Sequence, residues 1–337
     1  MTVASRTENS RSLGTVEVGQ TGLRVPKLGF GTVALSLLSN DEEEIGRKAI
    51  EEAYSRGLTF FDTAPSYGNG RAERRLGEAL KGAARSSFVV STKVGMVVPI
   101  GSETAPANWQ PSFDYSYDAV MRTYETSARR LGLDRIDIVL IHDIGSVMQK
   151  HRHPEVFRTA MDEGYRALRE LKDAGAIMAI GIGVNEWQVL EQAAAVAEFD
   201  VFLLAGRYTL LEQTALETFL PMCERRKISV FAGGPFNSGI LAKGPTPGVW
   251  YNYAAAPEHI LERVRRIQSI CENFGVPMST AALRFPAAHP AVASVIFGPR
   301  SADEVRMNLE QFDAPIDPAL WRALKDEQLL RADAPTP

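Results

Sequence analysis

The sequence predicts an α/β chain folded as a (β/α)₈ barrel, with an N-terminal β-hairpin and long loops at the carboxyl end of the barrel strands. Eight short apolar runs alternate along the chain with longer amphipathic stretches, and no break in composition divides them. The runs fall at 28–33, 59–62, 87–93, 136–141, 177–183, 200–204, 228–232 and 292–297. Most are apolar nearly throughout, as in IDIVLI and IMAIGI, which is how strands buried on both faces of a parallel sheet read. A doubly wound sheet is the alternative. Its dinucleotide-binding form carries G-x-G-x-x-G after the first strand, and GFGTVALSLL does not match.

Residues 1–14 read as a polar tail, 15–330 as one barrel domain and 331–337 as a C-terminal tail. Val16 and Val18 alternate with polar residues, Gln20-Thr21-Gly22 turns, and Leu23 and Val25 return, which makes a hairpin. The stretch FFDTAPSYGNGRAERRLGEAL, 60–80, begins as a strand and ends as a helix, with Pro65, Gly68 and Gly70 forcing a loop between. Helices are predicted over 41–56, opened by Asn40 as N-cap, then over 117–131, 154–174, 187–197, 214–226, 257–274 and 302–312. Gly132 and Gly175 stand just past helix ends, where a left-handed residue is wanted. Three connections, 95–115, 143–153 and 233–256, are too long for turns. All follow strands, so all would overhang one face, and their Trp109, Phe113, Tyr115, Phe236, Trp250, Tyr251 and Tyr253 suit a small-molecule pocket.

Composition narrows the function. A net charge of -4 gives no footing for nucleic acid or an anionic membrane, and no apolar run approaches a bilayer span. The N-terminus MTVASRTENSRSLG lacks a signal-peptide core, so a cytoplasmic address is expected. Cys223 and Cys271 both fall in helical patterns and read as buried free thiols. His151 and His153 form an H-x-H in a loop without acidic or thiol partners, so no metal site is expected.

Ionisable residues cluster by strand end. Asp62 ends the second apolar run and Tyr67 follows five residues on; Lys93 ends the third, His142 and Asp143 the fourth, and Asn185 and Glu186 follow the fifth. In a barrel these stand on one rim. A lysine closing a buried strand is expensive unless paired, and Asp62 on the adjacent strand is the obvious partner. A structural ion pair beside a satisfied core histidine explains any one of these residues, but explains the set poorly.

The hairpin, LGFGT, FFDTAPSYGNGRAERRLGEAL, STKVG, LGLDRIDIVLIHD and GPRSADEVRMNL together resemble the aldo-keto reductases, from Val16 to about Leu330. The resemblance implies an NAD(P)-dependent oxidoreductase with Asp62, Tyr67, Lys93 and His142 as catalytic tetrad. Tyr67 would move the substrate proton, its ordinary pKa near 10 lowered by the Lys93 ammonium. Asp62 would hold Lys93, and His142 would hydrogen-bond the substrate oxygen. It also implies cofactor contacts from Gly31, Thr32, Asn185, Gly233, Gly234, Pro235, Gly298, Arg300, Ser301, Glu304 and Asn308. Three departures from the family pattern stand out: Asn185-Glu186 replaces a Ser-Asn pair, Ala205 a glutamine, and Gly233 an aromatic that stacks on nicotinamide. LAGRYTLLEQ and GGPFNSGIL are similar to the branch of bacterial L-fucose and D-threo-aldose 1-dehydrogenases, with pyridoxal 4-dehydrogenase similar in the same segments.

The resulting expectation is oxidation of an aldose at C1 to the lactone, with Trp109, Trp250 and Tyr251 as substrate wall. Pyridoxal-type oxidation, or general aldehyde and ketone reduction, is the alternative. A non-enzymatic cofactor sensor, like the β subunits of potassium channels, is the reading from a different class. NAD is expected over NADP because Glu304 and Asp303 occupy the helix turn where the family places a basic residue. The partner is a small molecule, and the state a monomer or weak homo-oligomer.

Overall fold

The computed structural model describes residues 13–39, 41–102, 111–252 and 254–337. The first hairpin pairs β1 (Thr15–Glu17) with β2 (Arg24–Pro26). Eight parallel strands then close a barrel: β3 (Leu28–Gly31), β4 (Phe60–Asp62), β5 (Val89–Val94), β8 (Ile138–His142), β9 (Ala179–Val184), β10 (Val201–Ala205), β11 (Ser229–Gly233) and β14 (Val292–Phe297), with β14 pairing back to β3. Each predicted run overlaps one of these strands, with ends that differ by no more than two residues.

The strand interior is a packed core. Phe60 and Phe231 face each other across the barrel with ring centroids 4.7 Å apart, joined by Ile138, Leu140, Val201 and Leu203. Val18, Leu23 and Val25 of the hairpin belong to the same cluster. Gly19 N–H donates to the Ser229 hydroxyl at 2.8 Å, at the start of β11, so the hairpin plugs the amino end of the barrel. Solvent and ligand access is thereby left to the carboxyl end, where barrel chemistry sits.

Helices surround the strands: α1 (Glu43–Ser55), α2 (Arg71–Ala79), α3 (Tyr117–Leu131), α5 (His153–Thr159) and α6 (Tyr165–Asp173), α7 (Trp187–Val196), α8 (Phe219–Arg226), α10 (Glu258–Asn273), α11 (Met278–Arg284), α12 (Ala302–Asp313) and α13 (Pro318–Asp326). A π turn, Ala160–Gly164, joins α5 to α6 into the one long helix expected at 154–174. The first helix starts at Glu43 rather than at 41, because Glu42 turns back to accept from Ser39; Asn40 lies outside the described residues. The stretch predicted as one helix over 214–226 is a 3₁₀ turn, Thr214–Leu216, followed by α8. Helices α11 and α13 escaped the periodicity, although Asp317 and Pro318 form a legible start: the Asp317 carboxylate accepts from Ala319 N–H at 2.8 Å. Gly132 and Gly175 have φ of 63° and 72°, as their helix-end positions require.

The three long connections contain structure of their own. The first holds β6 (Met96–Val97) against β7 (Ser112–Phe113), the second α4 (Ser146–Gln149), and the third α9 (Ile240–Lys243) and the hairpin β12 (Trp250–Tyr251) with β13 (Ala254–Ala255). A buried pair steadies the first: Arg130 lies 2.6 Å from Glu73, which accepts from Thr92 at 2.6 Å, and Arg130 donates to the Val98 carbonyl. Cys223 and Cys271 are free and buried, with burial pushing both thiols up. The segment 331–337 is attached to the barrel, Arg331 N–H donating to Gln213 at 3.0 Å and Ala334 being buried.

Candidate active site

Adjacent strands β4 and β5 pair Asp62 with Ser91, and Lys93, two residues on along β5, lies on the same face at the open end. Lys93 Nζ donates to Asp62 Oδ2 at 2.8 Å and to the Thr63 carbonyl at 2.8 Å. It also hydrogen-bonds Tyr67, and its ammonium stands 4.8 Å from the centre of that ring. An ammonium has three N–H donors, and here three acceptors meet it. Asp62 Oδ1 accepts from the Ser91 hydroxyl at 2.6 Å. Tyr67 reaches this position because Gly68, Asn69 and Gly70 all take positive φ, reversing the chain before α2.

His142 closes the group from the end of β8, its ring edge-on to Tyr67 with centroids 6.1 Å apart. Burial, helped by the Lys93 charge, holds the imidazole pKa well below its usual value, so the ring is neutral. The structure therefore brings together all four residues of the expected tetrad.

The phenol corrects a simple expectation. Lys93 does act to lower the Tyr67 pKa, but burial is the larger influence, and the group is pushed up to about 12. Lys93 itself is raised: burial opposes its charge, and the Asp62 and Tyr67 partners outweigh that. Tyr67 is thus a neutral proton donor at rest.

These residues line a cavity of about 840 Å³. Of the expected cofactor contacts, Gly31, Asn185, Gly233, Gly234 and Gly298 line it, and Thr32, Pro235, Arg300, Ser301, Glu304 and Asn308 do not. Ser301 caps α12, accepting from Glu304 N–H at 3.2 Å, while Glu304 accepts from Arg300 N–H at 2.8 Å. The residues present suit a dinucleotide: Gly31, Gly233, Gly234 and Gly298 on the lining let a ligand approach the backbone, and buried Asn308 Oδ1 and Thr32 Oγ1 have no hydrogen-bond partner among the described residues. Asn185 is fixed by donating to the Ala205 carbonyl at 3.0 Å. Glu186, whose place in the pattern is unusual, accepts from the Ser146 hydroxyl at 2.7 Å and from Val147 N–H at 3.0 Å, tying α4 to the end of β9.

The expected substrate wall is elsewhere. Trp250 is 57% exposed, and Tyr251 is turned toward Glu212. Neither lines the cavity, because the β12–β13 hairpin is fastened sideways to 207–212 by Tyr251–Glu212 and Arg207–Asn252 contacts. Trp109 and Tyr253 lie outside the described residues. The cavity wall is instead Val33, Met96, Pro111, Phe113, Val147, Met148 and Ile296. Of these, Phe113 was legible as a loop aromatic; the methionines had no sequence signal. Asp143 was visible beside His142 in LIHD and also lines the cavity.

The aldo/keto reductase family model matches residues 27–327. A pyridoxal 4-dehydrogenase from Microbacterium luteolum is 39% identical, with 93% of this chain and 97% of the relative covered. A D-threo-aldose 1-dehydrogenase from a Pseudomonas species is 34% identical, with 94% and 97% covered. Among solved structures, an aldo-keto reductase from Bacillus halodurans in its holo form superposes with a TM-score of 0.75 at 26% identity, covering 95% of this chain and 97% of that one. With a family model and relatives matching over nearly the whole barrel, this oxidoreductase chain belongs to the aldo/keto reductase family.

Proposed function

We propose that this chain is an NAD(P)-dependent dehydrogenase that oxidises a cyclic hemiacetal to a lactone, with pyridoxal-type substrates ahead of aldoses. The observation that carries the reading is the convergence of Lys93-held Tyr67 and neutral His142 on one cavity with a largely apolar wall. Pyridoxal closes to a hemiacetal through its neighbouring hydroxymethyl group, and its flat ring suits a wall of Phe113, Met96 and Met148. The 39% identical pyridoxal 4-dehydrogenase supports this order. Aldoses are the second reading, supported by the 34% identical aldose dehydrogenase and by Ser66, Asn69 and Asp143 on the lining.

A bound NAD(P) supplies the hydride acceptor at C4 of its nicotinamide. The glycine strip 233–234 and Asn185 would hold that ring, with Gly31 and Gly298 beside the rest of the dinucleotide. Tyr67 exchanges the substrate hydroxyl proton, accepting it as phenolate during oxidation and returning it as phenol during reduction. Lys93 makes the phenolate less costly than burial alone would. His142, being neutral, hydrogen-bonds the reacting oxygen without adding charge beside Lys93. The apolar wall excludes water from the reacting carbon.

The test is cofactor reduction, followed by absorbance, with pyridoxal and a panel of aldoses against NAD and NADP separately. Pyridoxal is expected to give the highest kcat/KM. Tight cofactor binding with no turnover of any substrate would replace the enzyme reading with a cofactor-sensing one.

A further inference from the structure

We propose that Asp143 is a specificity residue whose carboxylate accepts a hydrogen bond from a hydroxyl carried one or two carbons from the substrate carbon that is oxidised. The proposal builds on the hemiacetal reading above.

Asp143 lines the cavity beside His142, its Oδ2 3.5 Å from His142 Nε2 and its side chain only 15% exposed. Among the described residues, no shorter hydrogen bond reaches either carboxylate oxygen. A carboxylate so enclosed is costly, and proteins ordinarily surround one with donors.

The surrounding structure forces it there. Asp143 has φ of 48°, a left-handed conformation that few non-glycine residues adopt. Its N–H donates to the Gly183 carbonyl at 3.0 Å. Its carbonyl accepts from Gln149 Nε2 at 2.8 Å and from the Tyr115 hydroxyl at 3.3 Å, and that hydroxyl also donates to the His142 carbonyl at 2.7 Å. Tyr115 and Gln149 are both buried and bonded to each other at 3.1 Å. Tyr115 in turn needs Gly95: a Cβ there would lie 2.1 Å from its ring. Strained backbone held by a dedicated clamp is characteristic of functional positions, because folding alone gains nothing from it.

The chemistry of the ligand follows from position. His142 and Tyr67 attend the reacting oxygen, so Asp143 reaches a substituent one or two carbons from the reacting one. A hydroxyl donor satisfies the carboxylate. The C2 hydroxyl of an aldose, on the adjoining carbon, and the 3-hydroxyl of pyridoxal, one carbon further along its ring, are the two hydroxyls in this range.

The experiment uses matched pairs: pyridoxal with its 3-deoxy analogue, and an aldose with its 2-deoxy analogue. In wild type the hydroxylated member should lead in kcat/KM by about 10- to 100-fold, the range of a hydrogen bond to a charged group, mainly through KM. Asp143→Leu should bring the ratio near one, with Asp143→Asn between. The other groups facing this carboxyl are Lys93, Tyr67, Tyr115, His142 and Glu186. Burial first, and Glu186 second, push its pKa up to about 6 against the pull of Lys93. The wild-type ratio should therefore fall below that pH, and the Asn variant's should stay flat. Calorimetric binding of the hydroxylated and deoxy lactones gives the same comparison without turnover. A wild type that oxidises neither substrate, yet binds the hydroxylated lactone through Asp143, would remove the hemiacetal reading and keep this one. Equal ratios in wild type and both variants, in binding or turnover, would overturn it.

Discussion

Lys93 Nζ lies 2.8 Å from Asp62 Oδ2, with the two side chains 1% and 5% exposed. The two halves of this pair are not equivalent. Without Asp62, the buried ammonium keeps only the Thr63 carbonyl and Tyr67. Without Lys93, Asp62 keeps the Ser91 hydroxyl. Asp62→Ala should therefore cost about 3–5 kcal/mol of stability. Lys93→Met should cost less. Denaturant titrations of both variants check this, and the reverse order would mean that Asp62 is not what makes the buried charge tolerable.

Tyr67→Phe should bind cofactor normally and lose about 10²- to 10⁴-fold in turnover. With the phenol at about 12 in the folded enzyme, the phenolate fraction rises with pH throughout the working range. Oxidation should accordingly accelerate by up to about tenfold per pH unit on the alkaline side, while reduction stays level because the phenol remains protonated. Residual activity in Lys93→Met should show the same rise displaced to higher pH. Near-normal turnover of Tyr67→Phe in both directions would end the proton-transfer role.

The expected preference for NAD over NADP can be tested at Glu304. Its carboxylate accepts from Arg300 N–H at 2.8 Å and pairs with the Arg300 side chain at 3.3 Å, so the one cation at this turn is engaged by an acid. Asp303 points outward to Arg306. An Asp303→Ser, Glu304→Arg double variant should gain activity with NADP relative to NAD, read as the ratio of kcat/KM values. A wild type that already prefers NADP would show that Glu304 does not face the adenosine ribose.

Substrate range should follow the cavity wall. Phe113→Ala and Met148→Ala are expected to alter the preference between pyridoxal and aldoses, whereas Trp250→Ala should leave it unchanged. A specificity profile measured on the three variants decides between the inner wall and the outer hairpin.

Asp143 has its own consequence for stability. Its folded pKa, about 6, lies above the ordinary 3.8 of an aspartate, so the folded state binds the proton more tightly. Its contribution is therefore most favourable at acid pH and is lost as pH rises through about 6. Asp143→Asn should be more stable than wild type near pH 8, by on the order of 2–3 kcal/mol, and gain nothing near pH 4. Thermal melts at the two pH values measure it. Equal melting differences at both would place the carboxylate in a more solvated setting than the structure gives it.

The sequence alone determined the barrel and the cluster of ionisable residues on its rim. Fully buried parallel strands demand continuous apolar runs, and successive strands are neighbours, so polar residues at the ends of IDIVLIHD and VVSTKVG had to meet Asp62 and Tyr67. Only the tertiary structure decided the wall of the cavity. Trp250 and Tyr251 sit in a loop of the right composition on the right face, but the side to which that loop folds depends on contacts to 207–212, far away in sequence. The same holds for charge and strain. Burial outweighs Lys93 at Tyr67, and Asp143 is turned into the cavity by a tyrosine 28 residues before it, because solvation and long-range hydrogen bonds exist only once the chain has closed.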